Sequence, residues 1–230
     1  MTIIITAGPT REHLDPVRFL SNPSTGKMGF AIAAEAARRG YEVVLIAGPV
    51  ALKTPKGVQR IDVISAREML AAVKAQWACA LKRVVRGAAV PRRIRPGLVF
   101  VSTAAVADWR PAKCAAQKLK KSKMASTLKL VRNPDILKTV RSSVRRFGDS
   151  TVRLVGFAAE TDHVLAEAAR KCREKGLSFI VANDVTQKGA GFGTDTNRVT
   201  FVFPDGSQKK LPLMTKRRVA KRILDEVSCL

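Results

Sequence analysis

TIIITAGPTREHLDPVRFLSNPSTGKMGFAIAAEAARRGYEVVLIAG, residues 2–48, decides the fold. Thr2–Ala7 is a short, β-branched apolar run that stops at Gly8-Pro9, which predicts a buried strand. Gly26–Arg39 reads as a helix, with Met28, Phe30, Ile32 and the alanines supplying its buried surface, and Gly40 as the residue just beyond its end. Tyr41–Ala47 is a second strand. Strand, helix and strand in this order form a βαβ unit, so a parallel sheet follows.

The same reading extends down the chain. Ser65 caps a helix running to about Arg86. Gly87–Gly97 is a loop rich in Pro and Arg. Leu98–Thr103, Thr151–Ala158 and Leu177–Ala182 read as strands, and Thr161–Lys175 as a helix with Gly176 beyond it. Arg198–Phe203, with a partner after Asp205-Gly206, predicts an antiparallel hairpin. Thr215–Val227 is a last helix, with Val219, Ile223 and Val227 on one face. The predicted architecture is α/β: a doubly wound, Rossmann-like parallel sheet with an appended antiparallel hairpin, in one domain over residues 1–230.

Composition narrows the function classes. Hydrophobic residues make up 46% of the 230, enough for a real core. The four cysteines, at 79, 114, 172 and 229, have no CxxC spacing, and there are two histidines, His13 and His163. A zinc site and a disulfide framework are therefore disfavoured, no metal ligands are assigned, and a reducing compartment is the simpler reading. The chain opens on a strand rather than a leader, and no apolar run reaches membrane-spanning length. The net charge is +24, from 42 basic and 18 acidic residues. Such a surface attracts phosphates and binds nucleic acid at least non-specifically. The basic stretch KRVVRGAAVPRRIRP, residues 82–96, has no interleaved aromatics for base stacking.

Several segments carry candidate chemistry. Between the first strand and its helix lies DPVRFLSNPSTGKMG, 15–29, a loop of functional length. Its end, Ser24-Thr25-Gly26, feeds a helix N-terminus that favours an anion, or is an ordinary cap. A Walker loop is excluded, since Ser21 and Met28 stand where glycine and a hydroxyl are needed. The GxGxxG fingerprint is also missing. A nicotinamide-dependent reductase of the short-chain type needs Tyr-x-x-x-Lys, but the lone Tyr41 is followed by Leu45. AAVADWRP, 104–111, follows a strand at the sheet edge where ligands gather. There Asp108 offers an acceptor or an indirect metal contact, or simply caps a turn. KLKK, 118–121, with Lys123, is either a solvated loop or one that closes over a triphosphate. VRNPDIL, 131–137, reads as strand, Asn133 cap, Pro134 at the first helical position and Asp135 in the first turn. Phe157 in GFAAET could stack on a ring or sit in the core. Lys171 and Lys175 share a helix face. AND, 182–184, ends another strand at this edge, and GAGFGTDTN, 189–197, is a polar loop.

Together, in order, ITAGPTRE, DPVRF-SN-S-GKMGFA, AAVADWRP, K-KK, NPDIL, VGFAAET and VANDV…GFGTDTN resemble one family: phosphopantothenate–cysteine ligase, the synthetase half of the bacterial coenzyme A biosynthesis flavoprotein. The resemblance runs from Thr2 to the final helix. It implies that CTP activates the carboxylate of 4′-phosphopantothenate as an acyl-cytidylate, releasing pyrophosphate. L-cysteine then forms the amide and releases CMP. Mg²⁺ would travel with the triphosphate. By position, the resemblance implies catalytic roles for Asn22, beside the activated acyl group, and for the loop lysine Lys118. It places Asp108, Lys118, Pro134, Asp135, Ile136, Leu137, Phe157, Lys171 and Lys175 at the nucleotide. Asn22, Ala104 and Ala105 fall on the substrate, as does Asn183, reaching across a dimer interface. A cytoplasmic homodimer is implied, with decarboxylation of the product by a separate phosphopantothenoylcysteine decarboxylase, or by a half of the protein that this sequence does not include. Departures are Thr25 for a usual Ser, polar Ser102-Thr103 before the alanines, a long basic stretch at 76–97, and no flavin-binding half. A nucleic-acid-binding domain is the competing reading. It leaves Asn22 and the AAVAD strand end without a purpose.

Overall fold

The computed structural model describes residues 1–86, 97–120, 127–144, 152–160, 163–184, 191 and 193–229. In chain order the strands and helices are β1 (Thr2–Ala7), β2 (Arg11–His13), β3 (Phe19–Ser21), α1 (Lys27–Arg38), β4 (Glu42–Ala47), β5 (Val58–Asp62) and α2 (Ala66–Arg86). Then come β6 (Leu98–Ser102), β7 (Trp109–Pro111), β8 (Leu130–Arg132), α3 (Ile136–Val144), β9 (Val152–Glu160), α4 (Val164–Glu174) and β10 (Phe179–Asp184). The chain finishes with β11 (Thr196–Asn197), β12 (Val199–Val202), β13 (Gln208–Lys210), β14 (Met214–Thr215) and α5 (Lys216–Cys229).

Eight strands form one sheet in the order β13-β12-β10-β9-β6-β1-β4-β5. From β10 to β5 every neighbour is parallel, and β12 and β13 add the antiparallel hairpin. Alternate residues of each strand serve opposite faces. Ile3, Ile5, Val43, Leu45, Val99 and Val101 pack under α1 and α5. Ile4, Val44, Ile46, Leu98 and Phe100 face the side of α2, α3 and α4. Both faces are covered, so the strands are apolar throughout rather than alternating, as parallel sheets require.

Local signals explain the elements. Ser65 starts α2 through a capping box: its Oγ accepts from the Glu68 N–H at 3.2 Å and donates to Glu68 Oε1 at 2.9 Å. Gly40 ends α1 with φ +76, a conformation that other residues adopt only at a cost. Buried Glu35 in α1 binds Arg38 and Arg39, and Arg39 reaches Asp225 in α5, tying the two helices together. The structure differs from expectation at α3. Asn133 does not cap it. Asp135 does, accepting from the Lys138 N–H at 3.0 Å, and the helix begins at Ile136.

Candidate functional site

The chain leaves β1 toward β4 on one side and enters β6 on the other, so β1 and β6 mark the reversal point of the sheet. At the carboxyl ends of these strands the connecting segments stay together. The Ala105 N–H donates to the Gly8 carbonyl at 2.9 Å, and Thr103 Oγ1 donates to the Thr6 carbonyl at 2.6 Å. The Ala107 N–H donates to Thr10 Oγ1 at 3.0 Å. Above them opens a cleft of about 620 Å³ running from α1 to α4. This is where doubly wound sheets bind ligands.

One end of the cleft is the N-terminus of α1. Gly26 occupies its cap position at φ +75 and has no side chain with which to cap the helix. Close approach of α1 to the sheet depends on Gly29. The Cβ it lacks would lie 2.4 Å from Thr103 Oγ1 and 2.5 Å from the Ala7 Cβ. The first turn contains no acid and begins with Lys27. Lys27 Nζ donates to Asp195 Oδ1 at 2.7 Å and to the Gly193 carbonyl at 3.1 Å. Lys216, first residue of α5, lines the same end and is only 7% exposed. Its Nζ donates to the carbonyl of Thr194 at 2.6 Å. Burial and the neighbouring Lys27 push its ammonium below the usual lysine range, partly countered by Asp195. Two ammonium groups, one of them paired with Asp195, and the α1 N-terminus thus converge on one place, which suits a phosphate.

The floor is Ala104, Ala105 and Ala107, whose small side chains leave the backbone approachable. Asn22 lies over it and donates from Nδ2 to the Ala105 carbonyl at 3.1 Å. Asn183, half-buried on β10, lines the cleft of its own chain.

The other end belongs to β9, α3 and α4. Asn133 fixes it, donating from Nδ2 to the Ala107 carbonyl at 2.8 Å and from its N–H to the Asp108 carbonyl at 2.8 Å. The exposed Asp108 carboxylate and the 134–137 turn line this end. Phe157 does too, half-buried, while it also packs on the α1 and α5 side of the core. Lys171 enters from α4 and Lys175 from the residue just past its end, and Lys175 Nζ lies 2.9 Å from Asp135 Oδ2. The Asp135 carboxyl sits below its usual range. Burial opposes this, but the Lys138 N–H and Lys175 outweigh it.

The cleft therefore gathers every sequence-predicted site residue except Lys118, which is exposed and does not line it. Lys121, Lys123 and most of the basic 82–96 run lie outside the described residues. Sequence reasoning passed over Lys27, Lys216 and Asn133 as ligand-facing residues. Lys27 and Lys216 carried a signal: each is a cation in the first turn of a helix, where the dipole disfavours one. Among the described residues no group of three or more His, Cys, Asp or Glu side chains is placed to hold a metal ion. None of their helices is long and apolar enough to cross a membrane.

A doubly wound sheet with a cleft at its reversal point, lined by lysines at both ends, defines the class as an α/β protein with a cleft where such folds bind ligands. Comparison with known proteins makes this more specific. Residues 1–92 and 87–230 match the family described as DNA/pantothenate metabolism flavoprotein C-terminal domain, and the chain belongs to that family. It is 45% identical over 230 residues to the coenzyme A biosynthesis bifunctional protein CoaBC of Escherichia coli (strain K12), covering 99% of this chain and 51% of that one. It is 43% identical over 229 residues to the protein of the same name from Bacillus subtilis (strain 168), with 99% and 51% covered. The chain thus spans about half the length of these relatives. A crystal structure of the C-terminal domain of CoaBC superposes with a TM-score of 0.73 at 40% identity, covering 98% of this chain and 93% of that one.

Proposed function

We propose that this chain is a phosphopantothenate–cysteine ligase that uses CTP with Mg²⁺. The observation that carries the reading is the cleft's polarity: Lys27 and Lys216 at one end, Lys171 and Lys175 at the other, and Asn22 over an alanine floor between them. An acid with a remote phosphate fits from the α1 end, and a nucleoside triphosphate fits from the α3 and α4 end. Their reactive groups then meet near Asn22. The 45% identity to the bifunctional CoaBC of Escherichia coli supports the same assignment.

In this scheme the phosphate of 4′-phosphopantothenate sits at the α1 N-terminus and its pantothenate chain crosses Ala104 and Ala105. The base and ribose lie against Asp108, Phe157 and the Pro134–Leu137 turn, with Lys171 and Lys175 toward the phosphates. A carboxylate oxygen attacks the α-phosphorus of CTP, and the bond to pyrophosphate breaks. Lys118 neutralises the charge growing on that leaving group. Magnesium bound to the triphosphate would supply charge neutralisation, and Asp108, a cleft carboxylate not engaged with Lys175, would face its hydration shell. The amine of L-cysteine then attacks the acyl carbon. CMP leaves, and the amine proton passes to solvent. Holding the two reactants together accounts for much of the rate, since oriented neighbours gain roughly 10⁵–10⁸ M in effective concentration.

The active form we propose is a cytoplasmic homodimer. The β2–β3 and β7–β8 ribbons pack on each other and leave Phe19, Trp109 and Leu130 exposed, with Val17 and Leu128 beside them. A second copy would cover that apolar surface. Nucleic acid would bind only non-specifically. Mass spectrometry of a reaction with 4′-phosphopantothenate, L-cysteine, CTP and Mg²⁺ tests the reading. It predicts the cysteine amide and CMP, and absence of the amide from folded enzyme overturns it.

A further inference from the structure

Asp15 lies in the irregular loop before β3, yet its side chain is 0% exposed. Its Oδ1 accepts from the N–H groups of Val17 at 2.9 Å and Arg18 at 2.8 Å, which closes a local turn. Its Oδ2 accepts from Arg18 Nε at 3.0 Å, from the second guanidinium nitrogen, and from the Leu119 N–H at 3.2 Å. Arg18 completes the bracket by donating to the Leu119 carbonyl at 3.0 Å. A second tie lies nearby, where the Ala115 N–H donates to the Leu14 carbonyl at 2.8 Å. Both backbone groups of the residue next to Lys118 are therefore held by one ion pair, about a hundred positions away in sequence. Neither Asp15 nor Arg18 lines the cleft. Burying a carboxylate is costly, and a local turn needs only Oδ1, which an asparagine supplies equally well.

We infer that Asp15 is a positioning residue for the first half-reaction, fixing the 115–120 strap so that Lys118 reaches the leaving group from a set pivot. The inference rests on the proposed ligase reading and on the role given there to Lys118. Without the anchor the chain can still bind nucleotide, because Lys171, Lys175 and the 134–137 turn are untouched. What it loses is the aim of one ammonium group.

Asp15→Asn separates the two uses of the side chain. It keeps an acceptor for the turn and replaces Oδ2 with an amide that cannot accept from Leu119. The first half-reaction would be followed as single-turnover pyrophosphate release from CTP and 4′-phosphopantothenate, without cysteine. The variants are Asp15→Asn, Lys118→Gln and the double substitution. The expected result is a roughly ten- to hundredfold fall in the maximal rate for Asp15→Asn, with an unchanged KM for CTP. Asp15→Asn should add no further loss in the Lys118→Gln background. Equal fold losses in both backgrounds, or no loss at all, would overturn the inference. Hydrogen exchange at the Leu119 amide reads the anchor without any catalysis. Faster exchange in Asp15→Asn than in wild type supports it, and equal exchange refutes it. A wild-type enzyme with no turnover would count against the ligase reading and leave this exchange test standing.

Discussion

The Asn22 side-chain amide and the Ala105 carbonyl are 3.1 Å apart, donor to acceptor. This bond joins the long β1–α1 connection to the end of β6, two segments distant in sequence, at the middle of the cleft. It orients the Asn22 amide beside the position assigned to the reacting carboxylate.

Asn22→Asp removes that donor and sets a carboxylate against a carbonyl and an acidic substrate. The account predicts a loss of at least roughly 100-fold in amide formation, the usual cost of removing one oriented donor at a reacting centre. The half-reactions, measured separately, locate it. Normal rates in both would remove Asn22 from the mechanism.

Lys118 is exposed, so its substitution should leave the fold intact. Lys118→Gln is predicted to slow pyrophosphate release by roughly 10³-fold, in the range known for groups that neutralise charge in phosphoryl transfer. Its thermal midpoint should match wild type. Stopped-flow or quench measurements together with a melting curve check both halves of the statement.

Lys171→Met and Lys175→Met should each raise the KM for CTP by about tenfold, as expected for one charge-assisted hydrogen bond. Lys175 also pairs with Asp135 at 2.9 Å, so its loss should loosen the 134–137 turn as well. Asp135→Asn should therefore cause a smaller increase in the same KM. Initial-rate kinetics at varied CTP decide the order.

Glu35 governs an acid-dependent part of stability. Arg38 and then Arg39 hold its carboxyl down, against burial, from 4.5 to about 2. A depressed carboxylate stabilises the fold above its unfolded value and loses that contribution as pH falls. The contribution should be complete above about 4.5 and disappear on the way to about 2. Glu35→Gln should cost about 2 kcal/mol near neutrality, as hydrogen bonds to charged groups do. Its stability should also change less across that acid interval. Urea unfolding at a series of pH values measures both.

The sequence was most readable where burial dictated pattern. β1, α1 and β4 stand within a residue of their expected bounds because apolar runs and Gly40 leave little choice. β5 escaped notice because VQRID is a half-exposed edge strand without an apolar run. The β2–β3 ribbon is also short, three residues a strand, and exists through pairing with itself and packing on β7. Asn133 looked like a cap because its neighbours are helix-starting residues. Its side chain instead bonds to Ala107, a tertiary partner that no local pattern announces. Motif order brought Asn22, Ala105, Asp108, Phe157, Lys171 and Lys175 into one list, and the fold brings the same residues to one cleft. Lys27 and Lys216 needed the three-dimensional convergence of two helix starts to be seen.

The central claim is that the two ends of the cleft hold an acid and a nucleotide that react with each other. Pyrophosphate release measured with and without 4′-phosphopantothenate, comparing CTP with ATP in the presence of Mg²⁺ and L-cysteine, tests it most directly. The account predicts release that requires the acid, prefers CTP and yields one CMP per amide formed. Release that is indifferent to the acid, or none with either nucleotide in folded protein, would contradict it.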